Sequence, residues 1–97
     1  MQFVIHARDY PDALERRMKV RQAHIDCIDK MKAAGNMLYG AALLDGAGNM
    51  CGSMIVCDFP SRAELDAYLK EEPYVTGRVW EKVDVTPCKV GPSFVKK

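Results

Sequence analysis

Met37-Leu-Tyr-Gly-Ala-Ala-Leu-Leu44, Asp45-Gly-Ala-Gly-Asn49 and Met50-Cys-Gly-Ser-Met-Ile-Val-Cys-Asp-Phe59 read as strand, turn and strand. The connection is dense in residues that tolerate positive φ, as an antiparallel hairpin requires. Ser53 to Cys57 is apolar enough for a central strand, and Pro60 ends it. Gly40 marks a close backbone approach or a bulge. This hairpin decides the fold, because a helix pattern flanks it on each side and a further strand lies beyond each helix.

Upstream, Asp12 or Ala13 to about Ala34 is helical in pattern. Asp12 is the expected N-cap, after Pro11, and Gly35 the expected C′ residue. Leu14, Met18, Ile25, Ile28 and Met31 or Lys32 sketch the buried side. At roughly 33 Å this helix is long for so small a domain, and Val20 to Gln22 is where a kink would fall. Downstream, Ser61 and Glu64 form a capping box, and Leu65, Tyr68 and Leu69 an inner face. Glu71-Glu-Pro-Tyr74 breaks that helix and turns the chain.

The outermost strands are Gln2 to Arg8 and Arg78 to Pro87. In the first, Phe3, Ile5 and Ala7 face one way and Gln2, Val4, His6 and Arg8 the other. In the last, Val79, Glu81, Val83 and Val85 alternate against Trp80, Lys82 and Asp84. Residues 88–97 form a tail, either disordered or adding an edge strand to a partner. The order β-α-β-β-α-β implies an α+β fold, a four-stranded antiparallel sheet with both helices on one face. The other face, with Val4, His6 and Trp80 as candidates, is left bare. A second copy of the sheet is its simplest cover, so the chain is expected to form a homodimer whose sheets stack or close as a barrel.

The chain has 97 residues, enough for one domain spanning 1–97. A net charge of +1 gives no electrostatic footprint for nucleic acid or anionic membrane. No apolar run is long enough to span a bilayer. The N-terminus enters a strand pattern directly, which points to the cytoplasm. Cys27, Cys51, Cys57 and Cys88 lack CxxC spacing and read as small reduced hydrophobes, and neither histidine has a partner at zinc-ligand spacing. No glycine-rich phosphate loop is present, and Met50 to Cys57 has no aromatic residue on which RNA bases would stack.

Chemistry concentrates before the hairpin. In Arg17-Met-Lys-Val-Arg-Gln-Ala-His24, residues Arg17, Arg21 and His24 share one helix face. The plain alternative is a solvated basic face with a partly packed histidine. Asp9 follows strand one, within reach of His24 by topology, and a carboxylate on one imidazole nitrogen makes the other a general base. Glu71 and Glu72 are adjacent acids at a helix C-terminus, where the macrodipole disfavours them. Ser53, after Gly52, has no base beside it in sequence.

Phe3 to Asp9, Pro11 to Arg17, and Arg21-Gln-Ala-His24 together resemble the YciI-like family of small dimeric α/β proteins. Gly40 to Asp45, Gly52-Ser-Met-Ile-Val, Glu72-Pro-Tyr-Val and Val83 to Pro87 continue the likeness in order. The resemblance implies a ferredoxin-like fold paired as a dimeric α/β barrel, much like muconolactone isomerase. It also implies a histidine–aspartate site, matched here by His24 and Asp9. The family's Asp-Pro-Tyr is Glu72-Pro-Tyr here, and its common Pro and Gly-Pro are replaced at Gln22 and at Gly40-Ala41.

One branch of that family removes HCl from a chlorinated hydroxyhydroquinone. The resemblance therefore implies a cofactor-free lyase of aromatic compound degradation acting on a small aromatic substrate. His24 would be its base, Asp9 would polarise the imidazole, and Arg17, Arg21, Ser53, Glu72 and Tyr74 would bind substrate. A non-catalytic binding or accessory dimer, or a lactone isomerase, would use the same cleft differently.

Overall fold

The computed structural model describes residues 1–94. The elements are β1 (Gln2–Asp9), α1 (Leu14–Ala33), β2 (Met37–Leu44), β3 (Met50–Asp58), α2 (Arg62–Glu71), α3 (Pro73–Thr76) and β4 (Trp80–Cys88), closed by a 3-10 turn at Pro92–Phe94. The four strands form one antiparallel sheet in the order β2-β3-β1-β4. This is the ferredoxin-like arrangement expected from the element order.

Register follows the hydrophobic alternation of β1. Phe3 stands opposite Cys57, and Ile5 opposite both Ile55 and Val85. Phe3, Ile5, Ala7, Ile55 and Cys57 are buried, with Leu65 and Tyr68 of α2 and Tyr74 of α3 in the same core. Each such large apolar side chain stabilises by roughly 1.5–3 kcal/mol. No helix among the described residues covers the other face, where Val4 and His6 stand opposite Val56 and Met54.

α1 runs 20 residues with no break into two helices at Val20 to Gln22. It ends in a Schellman motif, in which Asn36 N–H donates to Met31 O and Gly35 N–H to Lys32 O, with Gly35 at φ 90°. Its start differs from expectation. Ala13 holds the cap position without a side-chain cap, and Asp12 instead pairs with Arg16 at 3.7 Å. The buried stripe is also rotated. Leu14 and Met18 are exposed, whereas Ala13, Arg17, Val20, Cys27, Ile28 and Met31 pack inward. The rotation follows from Arg17, whose partners lie in the sheet.

β4 corrects the expectation for Trp80. Between Arg8 and Asp9 the register slips, so Lys82 stands opposite Arg8 but Trp80 opposite Asp9. Glu81 is the extra residue of this bulge, and Trp80 turns from the bare face to the helix side, where it is buried. Arg78 enters β4 at φ 58°, and its carbonyl accepts from Arg16 Nε at 3.1 Å and Nη2 at 2.9 Å.

Gly40 is neither the close approach nor the bulge expected there. The β2 register shifts between Met37 and Tyr39 and between Leu43 and Leu44. The close approach is at Gly52, where a Cβ would lie 2.5 Å from Ala7 O. In the tail, Cys88 still belongs to β4 and Val90 N–H donates to Gln2 Oε1 at 2.7 Å. Residues 95–97 lie outside the described residues.

A Cβ at Gly35 meets nothing within 4 Å, so Gly35→Ala tests backbone strain alone. It is expected to cost about 1–2 kcal/mol, read as a lower urea midpoint at unchanged slope.

Candidate active site

The inner face of α1 carries two basic side chains, each paired with a carboxylate, seven residues apart along the helix. At the first, Arg17 is only 2% exposed. Its Nη1 donates to the Asp9 carboxylate at 2.8 and 2.9 Å, and its Nη2 to Ser53 Oγ at 2.7 Å. Trp80 Nε1 donates to the same hydroxyl at 3.2 Å. The bulge makes this cluster possible, since it aims Trp80 to the helix side, where Asp9 already points by the alternation of β1. Burial pushes the Asp9 carboxyl above its ordinary value, and Arg17 pulls it back.

At the second pair, His24 Nδ1 lies 2.5 Å from Glu72 Oε1. Glu72 is 0% exposed. Its Oε2 accepts from the Tyr68 hydroxyl, and its Oε1 also from Tyr74 N–H at 3.2 Å. Local sequence explains this inward carboxylate. Glu72 is the N-cap of α3, with extended backbone, and Pro73 begins that helix as its first residue. Glu-Pro-Tyr is thus a cap rather than a simple break, and Glu71, one residue earlier, is exposed.

The Tyr74 ring joins the two pairs. It stacks on the His24 imidazole at 3.9 Å and 15°, and Arg17 Cζ lies 4.5 Å from its centroid. The residues are two helical turns apart, roughly 10.5 Å of rise, which leaves room for one ring. Trp80 meets His24 edge-on at 6.2 Å. Burial pushes the Tyr74 hydroxyl upward, with Arg17 and Arg21 opposing. Tyr68 is raised well above its ordinary value, first by burial and then by the Glu72 charge.

Arg17, His24, Ser53 and Tyr74 form one end of a cleft of about 430 Å³ between α1 and the β2–β3 strands. Arg21, His24, Ile25 and Ile28 form the helix wall. Gly40, Ala42, Ser53 and Ile55 line the sheet side, where the small residues leave the space. The volume suits one small molecule. Carboxylate on Nδ1 fixes the imidazole tautomer and leaves Nε2 for a ligand. Among the described residues, no three His, Cys, Asp or Glu side chains gather to hold a metal.

His24, Arg17, Arg21, Ser53 and Tyr74, all singled out from the sequence, line this cleft. The expected Asp9–His24 contact is corrected. Asp9 is taken by Arg17, and Glu72 stands at His24 instead. Two residues at the site were missed. Tyr68 was read as core alone, although its i, i+4 spacing to Glu72 was visible, and Trp80 was placed on the wrong face.

A family model described as the YCII-related domain matches residues 1–89. Protein YciI of Escherichia coli O6:H1 is 34% identical, across 92% of this chain and 97% of that one. A Haemophilus influenzae protein is 28% identical over the same shares. Among solved structures, the 5-chloro-2-hydroxyhydroquinone dehydrochlorinase of Burkholderia phenoliruptrix, in complex with 2,5-dihydroxybenzoquinone, superposes with a TM-score of 0.86. It is 22% identical, covering 96% of this chain and 98% of its own. An antibiotic biosynthesis monooxygenase shares the fold at a TM-score of 0.54.

Arg17→Met removes the cation from the buried Asp9 and is expected to cost roughly 3–5 kcal/mol of stability by urea unfolding. Adding Asp9→Leu should recover part of that loss. A double variant as unstable as the sum of the two would contradict a coupled pair.

Proposed function

The chain belongs to the YCII-related domain family, and on that premise we propose that it is a cofactor-independent lyase that eliminates HCl from a chlorinated hydroxyhydroquinone. The observation that carries this reading is the His24–Glu72 pair at the end of a cleft large enough for one small molecule.

Glu72 holds the Nδ1 proton, so Nε2 is basic and faces no protein acceptor among the described residues. It takes a proton from a substrate hydroxyl. That oxygen becomes a carbonyl as its O–H pair enters the ring, and the imidazolium returns the proton to the ring carbon that bears chlorine. A second hydroxyl then gives its proton to Nε2, its own carbonyl forms, and the displaced ring π pair expels chloride with the C–Cl pair. Loss of the proton and chloride together leaves a hydroxyquinone without any oxidant. Arg21 has no ion-pair partner among the described residues and lies one turn from His24, where it stabilises the oxyanion or departing halide. Arg17 is already held by Asp9 and Ser53. It shapes the site and fixes the Ser53 hydroxyl, and Tyr74 holds the imidazole plane by stacking. Asp9 acts through Arg17 rather than on the imidazole.

The same reading includes a homodimer. Val4, His6, Met54 and Val56 share the uncovered sheet face, and a second copy would bury them. The reduced cysteines fit a cytoplasmic setting.

His24→Ala is expected to lower turnover of a chlorinated hydroxyhydroquinone by roughly 10²–10⁴-fold, measured as chloride release, while the fold is kept. Ligand binding without chloride release in the wild type would instead favour a binding or accessory protein. Product formed with no released anion would favour an isomerase. Light scattering should give the mass of two chains, and Val56→Asp on the bare face should reduce it to one.

A further inference from the structure

We propose that Tyr68 is a positioning residue that sets the proton affinity of the His24–Glu72 pair from outside the cleft. The proposal rests on His24 being the base, and it assigns the tuning of that base to a side chain that no substrate reaches.

Three observations carry it. First, Tyr68 does not line the substrate cleft. It borders a separate groove between α1 and α2, with Cys27, Lys30, Phe59 and Glu64. Second, its hydroxyl donates to Glu72 Oε2, the oxygen His24 does not use. Third, Glu72 is fully buried, so no water replaces a lost donor at that oxygen. The phenol therefore fixes the carboxylate rotamer that turns Oε1 toward His24. It also draws charge from the carboxylate that would otherwise hold the imidazolium.

The direction is independent of where the dyad proton sits. Whether the proton rests on His24 or on Glu72, losing a donor to the ionised carboxylate raises the affinity of the pair for that proton. The surrounding groups stay in place. Arg17, Arg21 and Cys27 belong to α1, Tyr74 to α3, Glu71 to α2, Asp9 ends β1, and Cys57 lies in β3. Tyr68→Phe preserves the ring that stacks on Phe59 at 5.7 Å, so only the hydroxyl is removed.

The test is a proton NMR titration of the imidazole Cε1–H signals, which needs no substrate. The chain has two histidines, and His6 on the opposite sheet face is the internal reference. In Tyr68→Phe the His24 midpoint should rise by about 0.5–1 unit with His6 unmoved. With a chlorinated hydroxyhydroquinone as substrate, the acid limb of kcat/KM should rise with it. An unchanged or lowered His24 midpoint would overturn the proposal. Should Tyr68→Phe not fold, 3-fluorotyrosine placed at position 68 gives the opposite arm. It is a stronger donor, so the midpoint should fall, and an unmoved midpoint again overturns the proposal. Because these shifts are read without turnover, they stand or fall separately from the loss of activity in His24→Ala.

Discussion

A carboxylate with no access to water must be given its partners by the protein. Glu72 is that carboxylate, and the arrangement of three helices depends on it. An ionised carboxylate buried without partners costs several kcal/mol. Here α1 supplies an imidazole, α2 a phenol and α3 a backbone N–H. The three helices meet at one side chain, which makes the site and the helix packing a single feature.

The second buried pair ties that cluster to the sheet. Arg17 reaches from α1 to Asp9 at the end of β1 and to Ser53 in β3. The bulge opposite Asp9 adds Trp80, and Tyr74 stacks between the two pairs. Both carboxylates find protein partners, whereas Arg17 Nε is a buried donor without one among the described residues. The charges of Asp9, Arg17 and Glu72 organise the site, while Nε2 of His24 and the guanidinium of Arg21 stay available. That division of labour fits the acid–base role proposed for His24.

Much of this was legible in the chain. The Gly-rich hairpin, the Ser61 cap and the alternation of Phe3, Ile5 and Ala7 lead directly to the ferredoxin-like order. His24 stood out because a helix face passed from apolar residues to Arg and His. Its partner was misassigned, because Asp9 and Glu72 are both topologically close. The choice between them depends on Arg17, which claims Asp9 first. The inward turn of Glu72 depends on its role as the α3 cap, a detail smaller than the break that Pro73 announced. Trp80 was misplaced for a similar reason. One extra residue at Glu81 reverses the face of Trp80 before it, and strict alternation carries no sign of a bulge. The stripe of α1 was read from Leu14 and Met18, yet a buried Arg17 displaces them, since hydrophobic periodicity does not see a charge whose partners lie in the sheet.

The central claim is that Glu72 holds Nδ1–H of His24 and leaves Nε2 free as the base. Long-range nitrogen–proton NMR of the imidazole, recorded above the His24 midpoint, reads the tautomer directly. The account predicts the Nδ1–H form for His24. A neutral imidazole carrying its proton on Nε2 would contradict it.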